Sequence, residues 1–253
     1  MTSKIVIVAG GTTGMGRATA LARAARGDDV TVIGRSPRDV TVPFLQADLS
    51  SIAEVERVAK EITARHARVD ALTLFANRPM PRRTETADGL EYTFALYYLS
   101  RYLLAVRLAP LMTPESVIVN VSGVGAKAGG IHWDDPQLRS GYGLVKAQLQ
   151  AGRANDLLGV AHRGEARYVL YHPGFTKSGL DGHPSRFVRG VLKTLAVVAA
   201  RLVSTSVAPI VDWIDRPPTA MLTASDRGKP VDLSGKEQDA ARLMAYTESL
   251  LAR

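Results

Sequence analysis

The sequence contains no cysteine. A disulfide framework, a thiolate nucleophile and a zinc site with cysteine ligands are therefore all excluded, and a reducing, cytoplasmic location fits. Long apolar stretches are also missing. The longest, residues 195–200, lies between Lys193 and Arg201 and is far too short to cross a bilayer. Polar residues follow Met1, so the sequence predicts neither a signal peptide nor a membrane span.

Clustered charge is missing as well, although the formal net charge is +8. Such an excess suits an anionic partner, for example a phosphate-bearing cofactor, an acidic substrate or a nucleic acid. The arginines are scattered, with no dense basic run and no interleaved aromatic residues. The pattern favours a solvated basic surface with one or two local anion sites and predicts no nucleic-acid partner. No histidine pair has metal-ligand spacing with acids nearby, so no metal is predicted.

Apolar, β-branched runs alternate with helical stretches along the chain. Strands are predicted at 4–10, 29–34, 44–48, 69–77, 116–122 and 166–174, with a short one at 229–233. Helices are predicted at 15–26, 50–66, 86–109, 140–160, 204–215 and 237–252. This alternation predicts an α/β fold, a doubly wound parallel sheet of the Rossmann type with helices on both faces. We expect one domain over 1–253, in which 175–203 forms either a substrate lid or a plain connecting loop.

The stretch "VAGGTTGMG", residues 8–16, joins the first predicted strand to the first predicted helix. Gly10 permits a tight turn, Gly14 lets the backbone approach a pyrophosphate, and Gly16 lets the helix pack against the strand. The helix N-terminus then offers free N–H groups to phosphates. An ordinary βα turn is the alternative, but the strand–loop–helix context favours nucleotide binding. The other loop residues assigned to the cofactor are Thr12, Thr13 and Met15.

The end of the second predicted strand distinguishes NADP from NAD. A carboxylate about 20 residues beyond the glycines would hold the ribose 2′-hydroxyl of NAD. The sequence there is "IGRSPRD", with no acid at 34–36 and with Arg35 just beyond the strand. Guanidinium groups suit a 2′-phosphate, although Arg35 could also be one more surface arginine. The missing acid and the added base together predict NADP(H).

"SGYGLVK", residues 140–146, spaces Tyr142 and Lys146 four positions apart in a stretch predicted to be helical. At that spacing both side chains lie on one helix face. An unperturbed tyrosine has a pKa of about 10, and a nearby ammonium favours the phenolate and lowers the pKa. The alternative is that Tyr142 packs while Lys146 is solvated.

Together the glycine spacing, the strand order and "YGLVK" resemble the short-chain dehydrogenase/reductase family over almost the whole chain. "GGIHWDD" before the Tyr/Lys stretch resembles the retinol-dehydrogenase branch. The resemblance implies that Tyr142 exchanges a proton with the substrate, that Lys146 also binds the nicotinamide ribose, and that Ser122 is a possible ligand of the substrate oxygen. The further cofactor-binding positions that it implies are Asp48, Leu49, Ala76, Asn77, Pro173, Gly174, Thr176 and Ser178.

At three positions the sequence departs from the family pattern. Gly123 stands where the family usually has a serine that polarises the substrate oxygen, Tyr97 where it has a mid-helix asparagine, and Asn77 where it has a glycine. The positions expected to bind the cofactor are therefore nearly all present, whereas two of the usual catalytic residues are missing. Two functions follow as alternatives. One is an NADP(H)-dependent oxidoreductase acting on a small carbonyl or alcohol. The other is a non-redox protein that binds NADP(H) structurally or catalyses dehydration, isomerisation or cyclisation.

An oligomer is also expected. The predicted helices at 86–109 and 140–160 correspond to the surfaces through which the family commonly forms dimers or tetramers. The stretch "YYLSRYLL" has more aromatic surface than one sheet face needs. We therefore expect a homodimer or homotetramer.

Overall fold

A computed structural model describes residues 3–38, 41–174 and 203–252, and an eight-stranded sheet lies at its centre. The strands are β1 (Ile5–Ala9), β2 (Asp29–Gly34), β3 (Phe44–Gln46), β4 (Ala71–Leu74), β5 (Val117–Val121), β6 (Arg167–His172), β7 (Leu222–Asp226) and β8 (Lys229–Pro230). Their order is β3-β2-β1-β4-β5-β6-β7-β8. Strands β1 to β7 pair in parallel, and β8 is antiparallel to β7.

Helices fill the connections between these strands. They are α1 (Gly14–Ala24), α2 (Ile52–Arg65), α3, α4 (Leu144–Ala161), α5 (203–215) and α6 (Glu237–Leu251). Helix α3 consists of a first turn (Tyr92–Phe94), a π-helical segment (Ala95–Leu99) and an α-helical part (Ser100–Leu108). A 3₁₀ turn (Ala109–Leu111) follows it.

Helices cover both faces of the sheet, and the strands accordingly carry apolar side chains on both faces. In β1, Val6 and Val8 pack in the core that includes α1 and α5, whereas Ile7 and Ala9 pack in the core that includes α2, α3, α4 and α6. Alternation of side chains along a strand produces this division. The predicted α/β fold, a doubly wound sheet with helices on both faces, is confirmed.

The strand β7 was not predicted from the sequence. Its residues, "LTASD", are short or polar apart from the first, and all five are only partly buried. Near the edge of the sheet such a strand carries no continuous apolar run, which is the signal that identifies buried parallel strands. The prediction at 229–233 placed a strand beside it, where β8 covers Lys229–Pro230.

Helices α3 and α4 begin at least four residues later than predicted, and both differences have a local cause. Helix α3 begins at Tyr92 because the Glu91 carboxylate accepts hydrogen bonds from the N–H groups of Thr93 (2.8 Å) and Phe94 (2.7 Å), which caps the helix there. Helix α4 begins at Leu144, since Gly141 has a φ of 62° and Gly143 is extended. The prediction that Tyr142 lies on this helix was therefore wrong.

The predicted lid or loop at 175–203 lies outside the described residues except for residue 203. Its role stays a prediction, as do the roles of Thr176 and Ser178, which lie within it.

The aromatic residues of α3 do not support the expected oligomer. Tyr97 is 6% exposed and Tyr98 is fully buried, so these aromatic rings pack inside one chain. The expectation of a homodimer or homotetramer now rests on the family resemblance alone.

Candidate functional site

A cavity of about 890 Å³ opens at the carboxyl edge of the sheet. Strand order reverses between β1 and β4, and in doubly wound sheets ligands bind in the crevice outside such a reversal. Most positions predicted from the sequence line this cavity, namely Gly10, Thr12, Thr13, Gly14, Met15, Gly16, Arg35, Asp48, Leu49, Ala76, Asn77, Ser122, Pro173 and Gly174. Tyr142 and Lys146 are not among the lining residues.

The glycine loop fits only glycine at two of its positions. Gly10 has a φ of 84°, and a Cβ added to it would lie 2.6 Å from the backbone nitrogen of Ala76. A Cβ on Gly16 would lie 2.4 Å from the carbonyl oxygen of Gly10. The loop therefore packs tightly against both the chain beyond β4 and the start of α1. Because the glycines have no side chains, the loop presents its backbone to the cavity.

The start of α1 has the character of an anion site. Thr13 is the N-cap residue, and its side chain makes no capping hydrogen bond. The first turn contains no acidic residue. The N–H groups at the N-terminus of a helix carry partial positive charge and bind phosphate readily. Together with the glycine cradle, this end of the cavity fits the pyrophosphate of a dinucleotide.

Arg35 and Arg38 lie at the rim of the same cavity, directly after β2. Both side chains are exposed. Arg38 has a left-handed backbone conformation, with a φ of 46°. Two guanidinium groups at one end of a dinucleotide-sized cavity make that end strongly attractive to a phosphate.

Asp48 lines the cavity and also organises the turn into α2. Its Oδ1 accepts hydrogen bonds from the backbone N–H (2.9 Å) and the hydroxyl (2.7 Å) of Ser50. The next residue, Ser51, is the N-cap of α2. The position of Asp48 is therefore fixed by local hydrogen bonding, which holds the carboxylate at the cavity wall.

Asn77 and Gln148 close one side of the cavity by a reciprocal amide pair. The Asn77 Nδ2 donates to Gln148 Oε1 (2.8 Å), and the Gln148 Nε2 donates to Asn77 Oδ1 (3.2 Å). Both residues line the cavity. The pair ties the segment after β4 to helix α4, a role that glycine at position 77 could not supply.

Tyr142 and Lys146 are not among the residues that line the cavity, and no hydrogen bond between described residues joins the two side chains. The Tyr142 hydroxyl donates to the carbonyl oxygen of Met80 at 2.7 Å, and Lys146 Nζ donates to the carbonyl oxygen of Gly141 at 3.3 Å. Burial raises the pKa of Tyr142 above its ordinary value. The shared helix face predicted from their spacing is absent because Tyr142 precedes α4.

Tyr97, Ser122 and Gly123 line the cavity at the end of β5. The backbone N–H of Gly123 donates to the Tyr97 hydroxyl at 3.0 Å. The Ser122 hydroxyl oxygen is buried, and within the described part of the chain it has no hydrogen-bond partner. A Cβ added to Gly123 would meet no atom within 4 Å, so the missing side chain leaves open space.

A buried arginine lies directly behind this corner. Arg101 is 1% exposed, and its guanidinium lies over the Tyr97 ring at 4.6 Å from the centroid. It donates to the carbonyl oxygens of Val121 (2.9 Å) and Ala76 (3.0 Å) and to the side chain of Asn120. Burial lowers the pKa of Arg101 to about 10. Among the described residues no carboxylate forms an ion pair with it.

His172 lies on the cavity wall, although its sequence context predicted no role for it. Its Nδ1 lies 2.8 Å from Asp226 Oδ1. Hydrogen bonds from Arg227, and then from His172, keep the pKa of Asp226 below its ordinary value. Because an ionised carboxylate only accepts, Nδ1 carries a proton. The pairing of β6 with β7 brings the two residues together, and β7 was the strand that the sequence did not reveal.

Comparison with known proteins agrees with this geometry. Residues 4–135 match the family model described as short chain dehydrogenase. The chain belongs to the short-chain dehydrogenase family. A Streptomyces sp. (strain C5) protein named as a candidate daunorubicin C-13 ketoreductase is 29% identical over 229 residues, covering 81% of this chain and 79% of that protein. Mouse retinol dehydrogenase 13 is 28% identical over 206 residues, covering 71% of this chain and 60% of that protein.

Solved structures show the same fold for short-chain dehydrogenases and this chain. An uncharacterized protein from Mycobacterium paratuberculosis superposes with a TM-score of 0.74 at 22% identity, covering 98% of this chain and 92% of that one. A metagenomic short-chain oxidoreductase, solved in complex with NADP, has a TM-score of 0.56 at 20% identity and covers 77% of this chain and 91% of its own. The likeness to the retinol-dehydrogenase branch, expected from the sequence, is confirmed by the matched relatives.

Helices in the described ranges, 3–38, 41–174 and 203–252, include none that is both long and apolar enough to cross a bilayer.

Proposed function

We propose that this protein is an NADP(H)-dependent oxidoreductase that interconverts a carbonyl and an alcohol on a small organic molecule. The observation that carries the proposal is the cavity at the strand-order reversal, where a glycine cradle meets the start of α1 and Arg35 lies at the rim. Membership of the short-chain dehydrogenase family makes an oxidoreductase the expected activity. The relative named as a ketoreductase and the family neighbour with NADP bound support the substrate class and the cofactor.

The chain's own residues suit each part of that cofactor. Backbone groups of the glycine loop and α1 would hold the pyrophosphate, and Arg35 would hold the 2′-phosphate. Asp48 and Leu49 would face the adenine, while Pro173 and Gly174 would border the nicotinamide. When bound, NADPH supplies the hydride for carbonyl reduction. Thr176 and Ser178, which the resemblance also assigns to the nicotinamide, lie outside the described residues.

Tyr142 is our proposed proton donor, with Lys146 as its activator and as a ligand of the ribose. The phenol lies close to the cavity, because its acceptor belongs to Met80 and the preceding residue, Pro79, lines the wall. To reach a substrate, the hydroxyl must leave this one hydrogen bond, which costs about 0.5–1.5 kcal/mol. Ser122 would be a ligand of the substrate oxygen only after its buried hydroxyl turns into the cavity.

One observation favours a second candidate, a non-redox protein that binds NADP(H) as a structural ligand or uses the pocket for another reaction. Most residues that would hold the cofactor line the cavity, whereas the proposed catalytic residues Tyr142 and Lys146 do not, and Gly123 has no hydroxyl. A cytoplasmic location, which the sequence suggests, and a homo-oligomeric state, which the family resemblance suggests, are further proposals.

The two candidates differ in whether bound NADPH is consumed. Absorbance at 340 nm is followed with the purified protein, NADPH and a panel of aldehydes and ketones, while NADPH fluorescence reports binding in the same samples. We expect steady loss of NADPH with at least one carbonyl compound. Tight NADPH binding without turnover across the panel would favour the non-redox function.

Arg35 is expected to set the preference for NADP(H). A charge-assisted hydrogen bond is worth about 1.5–3 kcal/mol, so Arg35→Ala should weaken NADPH binding about 10- to 100-fold. NADH, which has no 2′-phosphate, should bind almost unchanged. Fluorescence titration of both cofactors measures the effect, and Arg65→Ala, an exposed arginine of α2 that does not line the cavity, is the matched control. Equal affinity of the wild type for NADPH and NADH would contradict the assignment.

A further inference from the structure

The open space at Gly123 lies beside the hydroxyl of Tyr97, a residue of helix α3. Tyr97 belongs to the π-helical segment of α3, and its hydroxyl accepts the N–H of Gly123. Both residues line the cavity. A π-helical segment inside an α-helix shifts the side chains that follow, and such segments are frequent at functional sites. Here it brings a phenol to the place next to the absent serine side chain.

The phenol has a proton to donate. Gly123 N–H is the donor in their hydrogen bond, so the Tyr97 oxygen acts there as an acceptor. A tyrosine hydroxyl can accept and donate at once. Within the described part of the chain, no acceptor forms a hydrogen bond with the phenolic hydrogen. The hydroxyl is thus held by one bond and keeps its donor function for a ligand.

Arg101 adds a positive charge behind the ring. Isolated buried charges are costly, and proteins usually pair them with carboxylates. The Arg101 guanidinium meets only carbonyl oxygens, the Asn120 side chain and the face of Tyr97 among the described residues. Within the described ranges no carboxylate pairs with Arg101, and its charge acts on the Tyr97 hydroxyl more strongly than the opposing charge of the buried Asp156 carboxylate. Negative charge on an oxygen bound to this hydroxyl would therefore be stabilised.

We propose that Tyr97 donates a hydrogen bond to the reacting oxygen of the substrate, with the Arg101 charge behind it, in place of a hydroxyl at position 123. This inference rests on the proposed carbonyl–alcohol function. In carbonyl reduction the oxygen gains negative charge as hydride reaches the carbon. A donor fixed at that oxygen stabilises the transition state more than the ground state. Tyr97 is thus a catalytic residue of this chain, distinct from the proton donor Tyr142.

The matched pair Tyr97→Phe and Tyr98→Phe tests the kinetic role. Tyr98 is the next residue of the same segment, but its hydroxyl bonds Thr247 Oγ1 at 2.7 Å in the core. With NADPH and acetophenone, or another ketone reduced by the wild type, Tyr97→Phe should lower kcat about 10²–10³-fold. Tyr98→Phe should keep its rate, and NADPH affinity should not change in either variant. A normal kcat in Tyr97→Phe would overturn the assignment.

Rescue separates a hydroxyl donor from a merely structural ring. Gly123→Ser places a hydroxyl in the open space, and Gly123 does not have a left-handed φ that would oppose it. In the Tyr97→Phe background it should recover about tenfold in kcat or more, the equivalent of one hydrogen bond. In the Tyr98→Phe background it should give no comparable gain. Equal gains in both backgrounds would contradict the proposed substitution of one hydroxyl for the other.

A binding measurement tests Tyr97 without turnover. 4-Nitrophenolate imitates the developing oxyanion, and its absorbance near 400 nm reports binding to the protein saturated with NADP⁺. A hydrogen bond to a charged oxygen is worth about 1.5–3 kcal/mol, so wild type should bind it about 10- to 100-fold more tightly than Tyr97→Phe. Equal affinities would overturn the inference. If the wild type binds 4-nitrophenolate more tightly than Tyr97→Phe does but reduces no carbonyl compound, the proposed redox function fails. The role of Tyr97 as a hydrogen-bond donor then stands.

Discussion

Replacing Gly16 with alanine is expected to weaken NADPH binding about 10²–10⁴-fold and to destabilise the fold by about 1–3 kcal/mol. The new Cβ would lie 2.4 Å from the carbonyl oxygen of Gly10 and 3.0 Å from the Cα of Gly11. Both are backbone atoms of the loop that would hold the pyrophosphate, so neither can turn aside as a flexible side chain does. The loop and α1 would have to separate, and the backbone contacts that we propose for the phosphates would be lost with them.

Gly130→Ala is the matched control for Gly16→Ala. Gly130 is exposed, and a Cβ added to it meets no atom within 4 Å. Thermal unfolding without cofactor measures the stability change, and a fluorescence titration measures NADPH affinity in both variants. The gap in unfolding temperature between the variants should widen when NADPH is added, because ligand binding stabilises the protein that binds it more tightly. Undiminished affinity in Gly16→Ala would show that the cofactor does not contact this loop.

The glycine loop was predictable because its chemistry is local. Gly10, Gly14 and Gly16 serve one turn between one strand and one helix, and the requirements of that turn are readable from a nine-residue stretch. Buried parallel strands were equally visible, since each is a continuous apolar run. Both kinds of feature depend on neighbours in sequence, and the structure has both where the sequence placed them.

Tyr142 shows where local spacing misleads. It lies four positions before Lys146, and this spacing puts both side chains on one helix face only if the helix includes both residues. Gly141 and Gly143 adopt conformations outside the helix, so α4 begins two residues after Tyr142. The two glycines did not decide from the sequence whether the helix begins before or after Tyr142. Glycine is a weak helix former because of its conformational freedom, but it does occur in helices.

Contacts between elements that are distant in sequence could not be predicted from the sequence. The bond between Gly123 N–H and Tyr97 joins residues 26 positions apart, and the His172–Asp226 pair joins residues 54 apart. Each requires the register of neighbouring strands or the placement of a helix over the sheet. The family resemblance indicated that Gly123 replaces the usual serine, but only the structure shows the Tyr97 hydroxyl beside Gly123.

The cavity therefore has a phenol from α3 on its wall, and a second phenol from the segment before α4 lies just outside it. The surroundings of the two phenols differ, and each set of surroundings suits a different catalytic role. Tyr97 has an adjacent cation, Arg101, and keeps its hydroxyl at the cavity wall. Tyr142 donates to the single carbonyl oxygen of Met80 and follows Gly141, whose freedom would let the phenol move. A fixed donor suits charge stabilisation, whereas a phenol that can exchange acceptors suits proton delivery.

Tyr142→Phe is expected to lower kcat for carbonyl reduction about 10²–10⁴-fold, the usual contribution of general acid catalysis. The ring stays, and the hydroxyl loses the hydrogen bond that it donates to the Met80 carbonyl oxygen, so stability should fall by about 0.5–1.5 kcal/mol. NADPH affinity should stay unchanged. Loss of NADPH absorbance at 340 nm under saturating ketone measures kcat, and fluorescence titration measures affinity.

Tyr246→Phe is the control that matches Tyr142→Phe in lost contacts. Its hydroxyl accepts one hydrogen bond from Gln137 Nε2 at 3.0 Å, and it does not line the cofactor cavity. Both variants should lose similar stability, but only Tyr142→Phe should lose rate. If Tyr142→Phe keeps the wild-type kcat while Tyr97→Phe does not, the proton comes from Tyr97. The phenol beside Arg101 would then both stabilise the oxygen and protonate it, and Tyr142 would serve only to hold the segment at Met80.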